Sequence, residues 1–108
     1  MILIGTTKGR IAPKFVISDY HKRKAKRLKV NIDYSKRKGK KLDVFKDGKK
    51  VASIGAKGYW DYIAYKKAES EGKFPKGHAE KRRRLYKIRH KDENKKGTPG
   101  YYALNILW

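Results

Sequence analysis

The residues best suited to chemistry lie in the basic stretch EKRRRLYKIRHKDEN, residues 80–94. Its arginines carry planar guanidinium groups, which can pair with a carboxylate or a phosphate through two parallel hydrogen bonds. Lysines attract the same groups as flexible point charges. The stretch therefore predicts a surface that binds an acidic partner. Its arginines, the expected contacts, are Arg82, Arg83, Arg84 and Arg89.

Two further basic clusters lie earlier in the chain, HKRKAKR at 21–27 and a second one at 36–41. The first cluster supplies three more candidate contacts, Lys22, Arg23 and Lys24. A run of like charges is often a solvated tail, and it can also be an arm that contacts a partner. The sequence leaves both interpretations of 21–27 open.

The charge of the whole chain narrows the class of partner. With 31 Lys and Arg against 10 Asp and Glu, the 108 residues carry a formal net charge of +21. Such self-repulsion destabilises a compact isolated chain, so we expect a stable partner that supplies negative charge. Nucleic acid, an anionic membrane and an acidic protein all qualify. Because the Debye length is about 8 Å at physiological salt, any of them must lie close to the protein.

No arrangement of residues points to catalysis or to a metal site. The carboxylates lie beside Lys or Arg or in turns, and no pair has a spacing typical of acid–base catalysis. His21, His78 and His90 lie in three separate segments, which does not predict a shared metal ion. The glycine-rich segments 5–9 and 55–58 lack the phosphate-loop pattern. We therefore predict a protein that is not an enzyme and that holds no cofactor or metal.

Other absences bear on the environment of the protein. The chain has no cysteine, which excludes disulfides and fits a reducing compartment. The opening MILIGTTKGR is too poor in apolar residues for a signal peptide. No apolar run approaches the roughly 18 residues of a membrane span, so we expect no transmembrane segment.

Alternating and turn-forming residues predict the sheet. LKVNIDY at 28–34 alternates, which indicates a strand with its apolar side chains on one face. Asp47-Gly48 separates two short apolar runs, and Asp-Gly favours the type I′ turn of a hairpin. A two-residue turn pairs Lys46 with Lys49 and sets Val44 opposite Val51. The prediction is a three-stranded antiparallel meander.

Three helices are expected after the sheet. The first covers about 55–70, with Tyr59, Tyr62, Ile63 and Lys66 at helical spacing. The second covers 78–92, and the third follows from Thr98 as N-cap and Pro99 as the first helical residue. In the second helix Leu85 and Ile88 form a narrow apolar seam. We expect this seam to dock the helix by one edge, with the stems of Arg82 and Arg89 along it.

The predicted fold class is therefore α+β, a small three-stranded antiparallel meander followed by two or three helices. We interpret residues 1–26 as a basic N-terminal extension and residues 27–108 as the domain. Within the extension, Phe15–Ile17 can form a short strand. The extension is expected to leave the domain as an arm and to become ordered on assembly.

Three segments in order, FKDGKKVASIGAKGYWDY, RRLYKIRHKDEN and ALNILW, resemble an uncharacterised small domain found in large eukaryotic DNA viruses, such as those of algae and amoebae. The likeness spans about 28–108. It falls on Gly55, Ala56, Gly58, Tyr59, Asp61, Tyr62, Arg83, Tyr86, Arg89, His90, Glu93, Asn94, Leu104, Leu107 and Trp108. The chain departs from the family pattern at the long link AESEGKFPKG and at the segment KKGTPG, which lacks the expected aromatic and acidic residues. It also stops at Trp108, where relatives often continue, and the extension 1–26 lies outside the pattern. The resemblance implies a virion context rather than an activity.

Charge and resemblance together predict a virion structural protein, a minor or internal capsid component that bridges larger capsid subunits. Its expected partners are major and other minor capsid proteins with acidic surfaces, on the internal face of the shell. Before assembly it would lie in the host cytoplasm. Tyr59, Trp60 and Trp108 are expected as apolar anchors, because aromatic and arginine side chains dominate interface hot spots. The alternative is a basic nucleic-acid-binding protein that contacts or packages viral DNA.

Overall fold

A computed structural model describes residues 12–108 of the chain. It contains a three-stranded antiparallel sheet and four α-helices, which confirms the α+β prediction. In chain order the elements are α1 (Asp19–Arg27), β1 (Asn31–Tyr34), β2 (Lys40–Lys46), β3 (Lys49–Ala56), α2 (Tyr62–Ser70), α3 (His78–Arg89) and α4 (Pro99–Tyr102). A 3-10 turn covers Lys91–Glu93, and a π-helical turn at Ala103–Leu107 continues α4. None of the helices within 12–108 has the length and apolar character that crossing a bilayer requires.

The sheet is the predicted meander, with strand order β1-β2-β3. Asp47 and Gly48 both have positive φ, 53° and 79°, as a type I′ turn requires. Lys46 pairs with Lys49 across this turn, as predicted. The hairpin therefore follows from two adjacent residues whose backbone preference is local.

The predicted pairing of Val44 with Val51 is wrong, because a β-bulge interrupts the hairpin. The register shifts between Val44 and Phe45, so that Val44 lies opposite Ala52. The extra residue places Val51 in solvent and puts Ala52 and Ile54 on the buried face instead. A bulge moves every later side chain of a strand to the other face, which a two-residue alternation cannot anticipate.

The boundary predicted at residue 26 is also wrong for the described part of the extension. Residues 19–27 form α1, and its His21 and Ala25 are buried one helical turn apart. Ser18 caps the helix, since its side chain accepts from the His21 backbone N–H while the His21 ring accepts from the Ser18 backbone N–H. α1 is thus part of the domain, although the prediction for residues 1–11 lies outside the described residues.

The segment before α1 is not the predicted strand. Residues 15–17 have no regular secondary structure, and the Ile17 backbone N–H donates to the Tyr34 hydroxyl at 3.1 Å. β1 correspondingly starts only at Asn31, because Leu28 is the C-cap of α1 and Lys29 has a positive φ of 62°. Residues 28–30 of the alternating run 28–34 therefore connect helix to strand.

The later helices begin at capping residues. Asp61 is the N-cap of α2 and accepts from the Ala64 backbone N–H at 3.0 Å, so Tyr59 precedes the helix instead of lying in it. The predicted helix 78–92 ends at Arg89 and gives way to the 3-10 turn. Thr98 caps α4 as predicted, accepting from the Tyr101 backbone N–H at 3.2 Å.

One face of the sheet and the helices share a single core. α4 and the following π-helical turn pack on β3, α1 packs on β1, and α2 packs on α3. The buried core side chains include Leu42, Val44, Ala52, Ile54, Tyr62, Tyr65, Ala68, Ile106 and Leu107. This packing fixes α1 and α3 to the same domain and leaves their basic faces in solvent.

Candidate binding surface

α3 docks on the domain through an aromatic side chain. The Tyr86 ring stacks on the indole of Trp108, with centroids 4.3 Å apart and 8° between the planes. Its other neighbour is the His90 ring, stacked with centroids 4.1 Å apart. Ala79, seven residues before Tyr86 and therefore on the same helix face, is fully buried. Ala79 and Tyr86 thus define the inward face of α3.

The predicted Leu85–Ile88 seam does not dock the helix. Leu85 is 39% exposed and Ile88 is 62% exposed. The prediction is wrong because Tyr86, which stacks on Trp108, faces the core. Leu85 and Ile88 therefore point away from it. We call the outward surface formed by Arg84, Leu85 and Ile88 the α3 outer face. It presents two apolar side chains directly beside a guanidinium group.

The four predicted arginines fall into two groups. Arg82 lies over the Tyr65 ring at 5.7 Å and Arg83 lies over the Tyr62 ring at 4.9 Å, so both are partly held by the domain itself. Such cation–π contacts stabilise the packing of α3 on α2. Arg84 and Arg89 are exposed and available to a partner.

The predicted aromatic anchors also differ in availability. Tyr59 is 72% exposed, whereas Trp108 is 7% exposed and belongs to the core. Trp60 is half-buried and stacks on the Tyr65 ring with centroids 5.0 Å apart. The prediction of Trp108 as a partner contact is therefore wrong. A tryptophan at the end of an apolar stripe is used here for internal packing.

Basic residues of α1 and α3 lie close together on the surface, and we call this cluster the α1–α3 notch. It is formed by Lys24 and Arg27 of α1 and by Arg83 and Lys87 of α3. Lys24 is half-buried, and its Nζ donates to the Tyr20 hydroxyl at 3.3 Å. Burial first, and then the positive charges of Lys87, Arg83 and Arg27, lower the pKa of Lys24 to about 8. Crowded cations thus destabilise one another at this position.

Little negative charge reaches the notch. Glu80 accepts a hydrogen bond from the Tyr62 hydroxyl, and Arg83 approaches it at 3.9 Å. Burial, aided by the positive charge of Arg83, also lowers the pKa of Lys87, although Glu80 opposes this effect. The other two predicted contacts on α1, Lys22 and Arg23, are exposed on its outer side. The first basic cluster is therefore neither a tail nor an arm but one wall of a positively charged surface.

A buried ion pair that the sequence did not indicate lies on the other side of α1. Lys41 Nζ contacts Asp61 Oδ2 at 3.0 Å and donates to the Tyr59 carbonyl oxygen at 2.7 Å. Lys41 and Asp61 are 6% and 4% exposed in their side chains. The two residues lie on separate elements, β2 and the cap of α2, and no local spacing connects them. Only the tertiary fold brings them together.

His21 lies next to this pair and is 1% exposed. The Ser18 backbone N–H donates to His21 Nδ1 at 3.0 Å, so the proton of the neutral ring belongs on Nε2. Burial lowers the pKa of His21 and so keeps the ring neutral. The negative charge of Asp61 has the opposite, smaller effect. The adjoining cavity of about 70 Å³ is far smaller than the roughly 300 Å³ typical of ligand pockets, and we interpret the cluster as structural.

Neither a larger cleft nor a second buried acid, Asp43, forms a group of side chains suited to catalysis. The cleft, of about 630 Å³, lies beside residues 12–16 and has no histidine or carboxylate in its lining. Asp43 is buried on β2 and accepts from the Ser35 and Ser53 hydroxyls, each at 2.6 Å. Burial tends to raise the pKa of Asp43, but these hydrogen bonds outweigh it and the pKa is lowered. Within 12–108, no group of three or more His, Asp or Glu is placed to hold a metal ion.

Comparison of the chain with protein-family models, with curated proteins and with solved structures finds no match in any of the three. The resemblance to the viral domain therefore stays a prediction. The α3 outer face and the α1–α3 notch are the two surfaces of the described residues that are best suited to bind a partner.

Proposed function

We propose that the protein is a non-enzymatic structural component of a large DNA virus particle, which joins larger capsid subunits by binding an acidic protein surface. The observation that carries the proposal is the exposure of Leu85 and Ile88 on α3, a helix with six Lys and Arg residues. Both side chains lose contact with water only if another molecule covers them. A partner that covers them also meets Arg84.

This combination of side chains favours a protein partner. Interfaces between proteins combine an apolar centre with arginine contacts, and a few such residues supply most of the binding energy. A surface that only neutralises phosphates needs cations and has no use for an exposed Ile88. Tyr59, exposed elsewhere on the domain, offers a second aromatic contact. Two separate contact surfaces are what a bridging subunit requires.

The capsid setting rests on the resemblance of residues 28–108 to the viral domain. A net charge of +21 on a chain with a small core fits a protein that gains stability from an acidic neighbour. The internal side of the shell and, before assembly, the host cytoplasm are the locations that follow from this proposal.

The test is incorporation of variants into particles of the virus that encodes the chain. The double variant Leu85→Ser/Ile88→Ser removes the apolar centre, and Arg84→Lys/Arg89→Lys keeps the charge but loses the bidentate geometry. We expect incorporation of Leu85→Ser/Ile88→Ser to fall at least about tenfold. A tenfold loss requires only about 1.4 kcal/mol of binding free energy, which the loss of two apolar contacts readily supplies. The second should fall by a smaller factor.

Val16→Ser is the matched control, because Val16 is as exposed as Ile88 but lies before α1. It should be incorporated normally. Normal incorporation of Leu85→Ser/Ile88→Ser would contradict the proposal, and normal incorporation together with salt-sensitive DNA binding would favour nucleic acid as the partner.

A further inference from the structure

The α1–α3 notch collects positive charge from two helices that the fold holds side by side. Lys24 and Arg27 lie about one turn apart on α1, and Arg83 and Lys87 lie about one turn apart on α3. Packed aromatic rings connect the two helices here: Lys24 Nζ donates to the Tyr20 hydroxyl at 3.3 Å, the Tyr20 and Tyr62 ring centroids lie 5.3 Å apart, and Arg83 lies over the Tyr62 ring at 4.9 Å. Cations of both helices are therefore close together before any ligand arrives, and Lys24 and Arg83 are held there by aromatic rings.

The protein does not neutralise this charge by itself. Among residues 12–108, Lys24, Arg27 and Lys87 form no ion pair, and Arg83 has only Glu80 at 3.9 Å. Half-buried Lys24 has already lost part of its hydration, so an incoming anion removes less water from it. An anion in the notch would relieve repulsion that the folded domain otherwise retains.

We propose that the α1–α3 notch binds the phosphate backbone of double-stranded nucleic acid. This goes beyond the proposed structural function, because it gives the protein a second partner. The notch adjoins the α3 outer face, since Arg83 and Lys87 line one depression together with Arg84 and Ile88. A subunit with both surfaces would join the shell to the packaged genome.

The α1 side of the notch favours a duplex over a membrane. The outer side of α1 continues the notch with Lys22, Arg23 and Lys26, all exposed, and it presents no large apolar side chain. Binding at a membrane surface requires an apolar helix face that enters the lipid. A duplex instead offers a regular array of phosphates that cations alone can bind.

The aromatic rings near the notch also favour a duplex over a single strand. Binding of single strands relies on exposed rings on which bases stack. Tyr62 is buried beneath Arg83, and Tyr20 is half-buried with its hydroxyl donating to the Trp108 carbonyl oxygen at 3.0 Å. Neither ring is free to receive a base. Contacts to phosphate alone predict binding that is independent of base sequence.

The experiment measures binding of the full chain to a mixed-sequence duplex by fluorescence anisotropy over a series of salt concentrations. Arg27→Gln/Lys87→Gln removes two charges from the notch, and Lys46→Gln/Lys49→Gln removes two exposed charges from the hairpin turn. We expect the notch variant to lose at least about tenfold in affinity and to reduce the slope of log K against log salt by about 1.8. The hairpin variant should change affinity by less than about threefold, the scale of a screened distant charge.

Equal loss of affinity in the two variants would overturn the proposal, since binding would then follow total charge and not the notch. Thermal melts of both variants establish that each is folded. A single strand of the same length, and vesicles of phosphatidylcholine and phosphatidylserine, complete the comparison. Tighter binding to either of these than to the duplex would also overturn the proposal.

Discussion

The indole of Trp108 covers the ring of Tyr86, with 4.3 Å between the ring centroids, and this stack determines which face of α3 is buried. Because Tyr86 points inward, Leu85 and Ile88 point away from the core. Replacing Tyr86 by Ala should therefore lower the free energy of unfolding by about 2–3 kcal/mol, as expected for truncating a partly buried aromatic side chain. Urea denaturation of the purified variant measures this change.

Ile88→Ala is the control for the Tyr86 substitution on the same helix. It removes an exposed side chain and should alter the free energy of unfolding by less than about 0.5 kcal/mol. If Ile88→Ala were instead as destabilising as Tyr86→Ala, Ile88 would be packed in solution, and the α3 outer face would not be available to a partner.

The features predicted correctly from the sequence are those with local causes. The Asp47-Gly48 turn depends on the backbone preference of two adjacent residues, and the start of α4 depends on Thr98 and Pro99. The pairing of Lys46 with Lys49 then follows from turn length. In each case the residues that decide the structure are neighbours in the chain.

The features missed depend on distant partners. α1 looks like a solvated run because its two buried residues, His21 and Ala25, stand among Lys and Arg residues in the sequence. Tyr86 faces the core, and Leu85 and Ile88 do not, because Tyr86 stacks on the indole of Trp108. The periodicity of α3 alone cannot show this, since Trp108 lies on another element. The notch likewise required knowing that α1 folds back beside α3.

Because Lys41 and Asp61 form a buried ion pair, replacing Lys41 alone should destabilise the protein far more than replacing both residues. Lys41→Met leaves the carboxylate of Asp61 buried without its cation and should cost about 3–5 kcal/mol of stability. Adding Asp61→Asn removes that charge but keeps an oxygen to cap α2, so the double variant should recover much of the loss. Chemical denaturation of the wild type, Lys41→Met, Asp61→Asn and the double variant gives the coupling free energy.

The exposed pair of Lys73 and Glu71, at 3.2 Å, is the control for the buried one. Glu71→Ala should cost no more than about 1 kcal/mol, because solvent screens an exposed ion pair. Equal costs at the two sites, or a double variant no more stable than Lys41→Met alone, would show that Asp61 is solvated.

Gly55 should tolerate no larger residue. Its φ is +77°, and a Cβ there would lie 2.8 Å from Leu107 Cδ1 and 3.0 Å from Lys41 Cδ. Gly39 also has a positive φ, +81°, but has open space around it. Gly39→Ala should thus cost about 1–2 kcal/mol from backbone strain alone, and Gly55→Ala about 1–3 kcal/mol more from overpacking. Thermal melts of the two variants measure these losses. Equal losses of stability would contradict the packing of Gly55 in β3 against Leu107 of the C-terminal turn.

The lowered pKa of Lys24, about 8 against an ordinary value of 10.5, predicts a pH dependence of stability. Above about pH 8 the unfolded chain retains the proton that the folded protein has released, so the free energy of unfolding should rise between about pH 8 and 9.5. Lys24→Gln abolishes this titration and should flatten the rise, leaving the smaller contribution of Lys87. A wild-type curve that falls over this interval would mean that Lys24 is not crowded by Arg27, Arg83 and Lys87.

The most direct test of the central claim is to identify what covers Ile88 in the assembled particle. A photo-crosslinking amino acid, p-benzoylphenylalanine, replaces Ile88 in one variant and Val16 in a matched one. Particles are then purified, irradiated and analysed by mass spectrometry. The account predicts that position 88 crosslinks to one capsid protein, at an acidic surface, well above the level at position 16. Crosslinks from position 88 to nucleic acid alone, or none above the level at position 16, would contradict it.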